Sequence, residues 1–264
     1  NMQVTKFRPH KLEAAFGQRR DAIMSGMEIS NGVRKLSFDG VIDRIDKYGD
    51  KAIIVDYKSK SNIHFDPANI FYGDRIQLFV YLNALRASGN ITPQGVFYLL
   101  MNNRFVKKDN EAKRFMYRGF VNIDDVSDLD RGFAQNADFT SGVYPIKSKT
   151  NKDGEVLYSS QVQLGHAMSG KSFDDACDYV MKLTSKAAHE IENGYIAKSP
   201  LNINGEEQPT PCKYCDYKDL CARAKVYVRD VKDISQEEFE SLIGEESQET
   251  SQCKDGISLP KEDK

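Results

Sequence analysis

The sequence predicts an α/β fold in which a mixed central sheet is flanked by helices. Three observations carry this reading. Phe38 to Ser59 (FDGVIDRIDKYGDKAIIVDYKS) has the apolar runs, period-two placement and Gly–Asp punctuation of two strands joined by a turn. Gln94 to Met101 (QGVFYLLM) is a strongly apolar strand suited to the middle of a sheet. Asp74 to Ala87 and Ser172 to Tyr195 read as helices, the first with an apolar band of Ile76, Phe79, Val80, Leu82 and Leu85.

Composition sets the bounds. The 264 residues are 40% hydrophobic and 29% charged, enough for a sizeable core in one large domain or two small ones. No run approaches the length of a membrane span, and no apolar stretch of a signal peptide follows Asn1 to Lys6. Five cysteines, three of them clustered, fit a reducing, cytoplasmic setting and a metal or cluster site better than a disulfide framework. The net charge of −2 is unevenly spread. Residues 229–264 carry 5 Lys/Arg against 11 Asp/Glu, leaving 32 against 28 in the rest. A mildly basic body of 1–228 followed by an acidic, disordered tail of 229–264 is compatible with a DNA partner.

Along the chain, Phe7 to Arg20 holds Leu12, Ala15 and Phe16 as a short apolar stripe, with Glu13 read as a solvated helix charge or as a carboxylate that supports a site from behind or faces DNA. Asn31-Gly32 is a turn before the core strands. Gly40 to Asp46 is the first of these and Ala52 to Lys58 the second, turning at Lys47 to Asp50. Side chains alternate along a strand, so Asp56 and Lys58 point one way and Tyr57 the other. If the strands pair, Asp43 meets Asp56, with Lys58 one step further on. Two carboxylates in an apolar setting repel, and a divalent cation is the simplest resolution. The plainer alternative is a surface hairpin with weak salt bridges, but the apolar residues on both faces of Ile53 to Tyr57 argue for a buried strand.

Gln77 and Tyr81 lie four apart and share a helix face, which by itself reads as a polar pair on an exposed edge. Asn102 to Arg114 is a polar loop whose Lys107, Lys108, Lys113 and Arg114 could touch phosphate. Phe115 to Ile123 alternates as a strand, 124–138 is acidic and irregular, and Tyr144 to Gln163 looks like a hairpin turning at residues 151–154. Ser172 and Asp175 are placed as a capping box for the long helix. Gly165 to Ser172 (GHAMSGKS) matches the phosphate-loop pattern G-x-x-x-x-G-K-S, with Lys171 as its nucleotide-binding lysine. The polar segment before it, the absence of room for a nucleotide-binding sheet after it, and the reversed order relative to Ala52 to Asp56 favour a capped helix start instead. Cys212, Cys215 and Cys221 form C-x₂-C-x₅-C, a spacing at which thiolates converge on one metal or cluster, while Cys177 reads as a buried small residue. Ile234 to Ile243 is a short helix within the tail.

Three segments together resemble a known family. GVIDRID (40–46) with IVDYKS (54–59), GDRIQLFVYL (73–82) and PCKYCDYKDLC (211–221) look like the nuclease core, the glutamine–tyrosine helix and the iron–sulfur segment of PD-(D/E)xK nucleases. The version is that of bacterial ATP-dependent helicase/deoxyribonuclease B subunits (AddB/RexB type). PHKLEAAFG (9–17) resembles the family's segment carrying Glu13, Phe16 and Gly17. The resemblance runs from about Phe7 to Arg223 and implies a restriction-endonuclease-like fold. It implies that Asp43, Asp56 and the Tyr57 carbonyl bind Mg²⁺ or Mn²⁺, that Lys58 assists the attacking water, and that Gln77 and Tyr81 complete a catalytic site. It also implies a [4Fe–4S] cluster on Cys212, Cys215 and Cys221, whose fourth cysteine, like the family's metal-binding histidine, lies upstream. His10 does not take that histidine's role, and the chain is expected to be a C-terminal fragment. The implied activity is hydrolysis of DNA phosphodiester bonds, exo- or endonucleolytic, in helicase-coupled end processing during double-strand-break repair. The implied partners are DNA and the A subunit of a helicase–nuclease heterodimer. The alternatives are an inert DNA- or helicase-binding module of the same fold and a P-loop ATPase centred on Lys171.

Overall fold

The computed structural model describes residues 4–30, 35–59, 66–101, 115–161, 165–202, 210–221 and 227–251. The turn at Asn31-Gly32, the basic loop holding Lys107, Lys108, Lys113 and Arg114, and Cys253 lie outside them. Its centre is a mixed six-stranded sheet in the order β1-β4-β5-β6-β7-β11. The strands are β1 (Arg8–Phe16), β4 (Gly40–Tyr48), β5 (Lys51–Lys58), β6 (Thr92–Leu100), β7 (Arg118–Asn122) and β11 (Gly165–Met168). β5 and β6 run parallel, as do β7 and β11, while the other neighbours are antiparallel. Between β1 and β4 in sequence lies the hairpin of β2 (Met27–Ser30) and β3 (Lys35–Phe38).

The β4–β5 hairpin is tight because Gly49 takes a left-handed conformation (φ 61°), leaving Gly49-Asp50 as a two-residue turn. β5 is buried from Ala52 to Asp56, and its alternating side chains feed two cores. Ala52 and Ile54 face a layer of helices, whereas Ile53 and Val55 face the other side. The helical layer comprises α1 (Pro67–Phe71), α2 (Gln77–Ala87), α5 (Gly170–Glu192) and α7 (Gln236–Ser251). Asp66 caps α1 by accepting from the Ala68 N–H at 2.9 Å. On α2, Leu78, Phe79, Leu82 and Leu85 reach the sheet, and Phe79 sits edge-on to Phe120 of β7. The far layer is built from α3 (Val126–Leu129), α4 (Gly132–Gln135) and a small antiparallel sheet of β8 (Phe139–Thr140), β9 (Ile146–Thr150) and β10 (Val156–Ser160). It closes over Phe97, Tyr117 and Tyr144. β12 (Leu201–Asn202), α6 (Thr210–Lys213) and β13 (Arg229–Asp230) form a thin outer segment with Tyr214, Tyr217 and Leu220 exposed.

This is a mixed α/β fold with a central sheet flanked by helices, as the sequence predicts. Three expectations are corrected. The segment after Phe7 is a strand, not a helix: the apolar spacing of Leu12, Ala15 and Phe16 suits either, but pairing with β4 buries Ala14, Ala15 and Phe16 in succession and leaves Leu12 exposed. Helix α5 begins before Ser172, capped by Ser169, whose Oγ accepts from the Ser172 N–H at 3.1 Å. The acidic end is ordered as α7 far beyond Ile243, and Phe239 and Ile243 are fully buried beside Phe120 and the α5 residues Phe173 and Val180. Among the described residues, no helix is long and apolar enough to cross a membrane.

Candidate active site

The register of the β4–β5 pair, Arg44 opposite Val55, sets Asp43 against Asp56 at the end of β5. Asp43 Oδ2 accepts from the Tyr57 N–H at 2.8 Å, so the backbone of β5 fixes that carboxylate. Asp56 is 3% exposed. Its Oδ2 accepts no hydrogen bond, although the Lys58 ammonium stands 2.8 Å away as an ion pair, off the axis a hydrogen bond needs. Burial pushes the Asp56 carboxyl above the ordinary aspartate range, and the nearby Asp43 charge adds to this, with Lys58 opposing both.

Helix α2 supplies the other wall. Lys58 Nζ donates to Gln77 Oε1 at 3.2 Å, and Gln77 Nε2 donates to Tyr81 Oη at 2.7 Å. Asp43, Asp56, Lys58, Gln77 and Tyr81 are therefore drawn together from two strands and one helix. Gly40 permits this approach: a Cβ there would stand 2.7 Å from the buried Phe16 ring and 3.5 Å from Tyr81. The Tyr57 side chain crosses to the opposite face. There Arg44 makes a two-point bond to buried Asp46, at 2.6 and 2.5 Å, and also bonds Tyr57.

Two further neighbours emerge only from the structure. Tyr98 of β6 is opposite Asp56, and its ring lies 5.1 Å beneath the Lys58 ammonium. Burial, then the Asp56 charge, pushes its hydroxyl up to about 12. Arg118 opens β7 opposite Tyr98. Both carry a modest signal in retrospect, polar groups at the ends of otherwise apolar strands.

Other candidates lie elsewhere. Glu13 is exposed on β1, in register with Asp43, in a left-handed conformation (φ 47°) rare for glutamate. His10 is exposed three positions back along the same strand. The phosphate-loop pattern is consumed by structure: Gly165 to Met168 is β11, and Asp124 Oδ2 already accepts from the Gly170 N–H at 3.2 Å, where a phosphate would sit. Lys171 is exposed and bonds Asp175 at 2.6 Å. Cys177 is buried, its thiol pushed up to about 12 by desolvation. Cys212, Cys215 and Cys221 are free and partly exposed. Among the described residues, no three His, Cys, Asp or Glu side chains gather at metal-binding distance.

A mixed sheet thus carries facing aspartates on adjacent strands, and a lysine two residues after the second. The chain belongs to the PD-(D/E)XK nuclease superfamily, whose profile matches residues 2–222. It is similar to proteins named as the B subunits of ATP-dependent helicase/deoxyribonucleases. Identity is 27% over 269 aligned positions with that of Alkaliphilus metalliredigens (92% of this chain, 22% of the relative). It is 28% over 242 with that of Caldanaerobacter subterraneus (84% and 20%) and 30% over 237 with that of Clostridium tetani (81% and 19%). The chain thus spans about a fifth of the length of these relatives.

Proposed function

We propose that this chain hydrolyses phosphodiester bonds of DNA with a divalent cation, Mg²⁺ or Mn²⁺, held by Asp43, Asp56 and the Tyr57 carbonyl. The observation that carries the reading is the buried Asp56 Oδ2, which accepts no hydrogen bond while it faces a second carboxylate. Lys58 at 2.8 Å offsets one negative charge, but two facing carboxylates exceed one cation, and the all-oxygen donor set suits a hard cation. Such an ion supplies Lewis-acid stabilisation of phosphate charge and a more acidic water.

The protein's own groups do the rest. Asp43 is immobilised by the Tyr57 N–H, and Tyr57 is anchored through Arg44 to Asp46, so the donor set is pre-arranged by β4 and β5. Lys58 is a cation held in place from two sides, by Asp56 and by Gln77. It is placed to meet charge developing on a phosphoryl oxygen and to orient the incoming water. Gln77 and Tyr81 hold Lys58 on the helix side. The absence of a base-reading module among the described elements favours low sequence specificity.

In the same reading the domain acts within a helicase–nuclease heterodimer on DNA ends at double-strand breaks; the names of its relatives supply the helicase, the deoxyribonuclease and the subunit. A [4Fe–4S] cluster on Cys212, Cys215 and Cys221 needs a fourth ligand and a convergence that the described residues do not provide, so no step is assigned to it. Release of acid-soluble nucleotide from linear DNA tests the proposal. Release should need Mg²⁺ or Mn²⁺ and stop with chelator. Equal release in the presence of chelator overturns it.

A further inference from the structure

The sheet row that holds the two carboxylates continues beyond them. Asp56 on β5 is opposite Tyr98 on β6, and Tyr98 is opposite Arg118 on β7. Residues paired across strands share a face. That face is the one covered by α2 and α5, because Phe120, two residues after Arg118, packs against Phe79 and the helical core. Arg118 therefore stands in line with Asp43 and Asp56, two strand spacings or roughly 10 Å from Asp56. It is half-buried, and desolvation lowers its pKa, yet a guanidinium stays charged at any ordinary pH.

Between the carboxylates and Arg118 lies Tyr98, buried at 4% exposure. The Tyr98 ring carries the Lys58 ammonium above it, and the ion-paired charges of Arg75 and Asp74, on the turn before α2, act on the Tyr98 hydroxyl in opposite directions. Two carboxylates thus occupy one end of the row, Lys58 and the Arg75–Asp74 ion pair lie about its middle, and Arg118 stands at the other end. That arrangement suits a polyanion with one phosphate at the carboxylates and the next at Arg118.

We propose that Arg118 holds a second phosphate of the bound DNA strand, adjacent to the one cleaved. The proposal rests on the nuclease reading and adds a positioning subsite to it. A guanidinium fork binds phosphate through two parallel hydrogen bonds, and such a contact sets the register of the strand without reading its sequence.

The test is binding of a fluorescein-labelled oligothymidylate to the 264-residue chain in chelator, followed by anisotropy over a range of salt concentrations. Arg118→Ala should weaken binding about tenfold. It should also make the slope of log affinity against log salt shallower by about 0.7, the value for one phosphate contact on a single strand. Arg118→Lys should keep the slope while losing part of the affinity, because charge is retained and the fork is not. Arg19→Ala, an exposed site paired with Asp21, should match the parent. Arg118→Gln, checked by thermal melting, replaces the alanine variant if that one fails to fold. Parent-like affinity and slope in Arg118→Ala or Arg118→Gln overturns the subsite, as does failure of the parent to bind. Parallel digestion with Mg²⁺ separates the two readings. An Arg118 effect without any cleavage leaves the subsite standing and sinks the nuclease reading. Lys58-dependent cleavage with no Arg118 effect does the reverse.

Discussion

Lys58 is held between a carboxylate that attracts its charge and an amide that fixes its direction. The 2.8 Å ion pair to Asp56 and the 3.2 Å bond to Gln77 together set where the ammonium points. Gln77 is in turn oriented by Tyr81 at 2.7 Å. Gln77→Ala should accordingly reduce kcat about tenfold, the worth of one charge-assisted hydrogen bond, with little change in KM. Tyr81→Phe should cost less, since it frees Gln77 without removing it. Steady-state kinetics on a DNA substrate check both, and an unchanged kcat in Gln77→Ala contradicts the assigned role. At this scale the sequence is informative about residue type and poor about context. Asp43, Asp56 and Lys58 are legible because charge in an apolar strand demands an explanation. Tyr98 and Arg118 are not, because a tyrosine or an arginine at a strand end is unremarkable until register sets it beside something.

Elements place these residues, and their joins carry the stability. α3 is a single short turn, yet its Asp128 ties the chain before β1 to β5, accepting from Lys6 at 2.6 Å and from Lys51. Burial alone would raise the Asp128 carboxyl, but Lys51 and Lys6 together hold it below the ordinary aspartate range. The folded chain then binds that proton less tightly than the unfolded one. The resulting stability is present above the ordinary aspartate pKa and is lost as pH falls through the lowered value. Asp128→Asn should lower the urea midpoint measurably at neutral pH, and the gap from the parent should close below the carboxylate range. A gap that stays constant with pH contradicts this. The β4–β5 hairpin, β6 and α2 are readable because each has one dominant period. β1 is not, since three apolar residues spaced for a helix also fit a strand with a left-handed residue at Glu13. The cap of α5 lies three residues earlier than the capping-box pattern indicates, because serine is a good N-cap at either position and the helix starts at Ser169, which lacks the acidic residue of the box.

For the molecule as a whole, composition misjudges the C-terminal end. A stretch rich in Glu, Gln and Ser reads as a tail, yet two apolar residues four apart, Phe239 and Ile243, dock α7 into the main core. Gln236 adds bonds to the Ala167 carbonyl and to His166 on β11, and Glu240 accepts from Ser172. Phe239→Ala should therefore cost about 3–5 kcal/mol, the range for emptying a fully buried phenylalanine site. Chemical denaturation measures it, and a loss below about 1 kcal/mol would mean that α7 is peripheral after all. The chain covers about a fifth of its relatives, so the partner subunit and the end-processing role are proposals about a larger assembly. What this chain carries by itself is a sheet that brings two aspartates, a lysine and a glutamine–tyrosine pair to one place.

The most direct measurement is digestion of end-labelled linear DNA with Mg²⁺ by the parent chain, Asp56→Ala and Lys58→Ala, each shown to be folded. The parent should cleave, and each variant should be slower by at least about a hundredfold, as expected when a preorganised charge is removed from a phosphoryl site. Cleavage at the parent's rate by both variants, or no cleavage by the folded parent, would contradict the assignment of the chemistry to the end of β5.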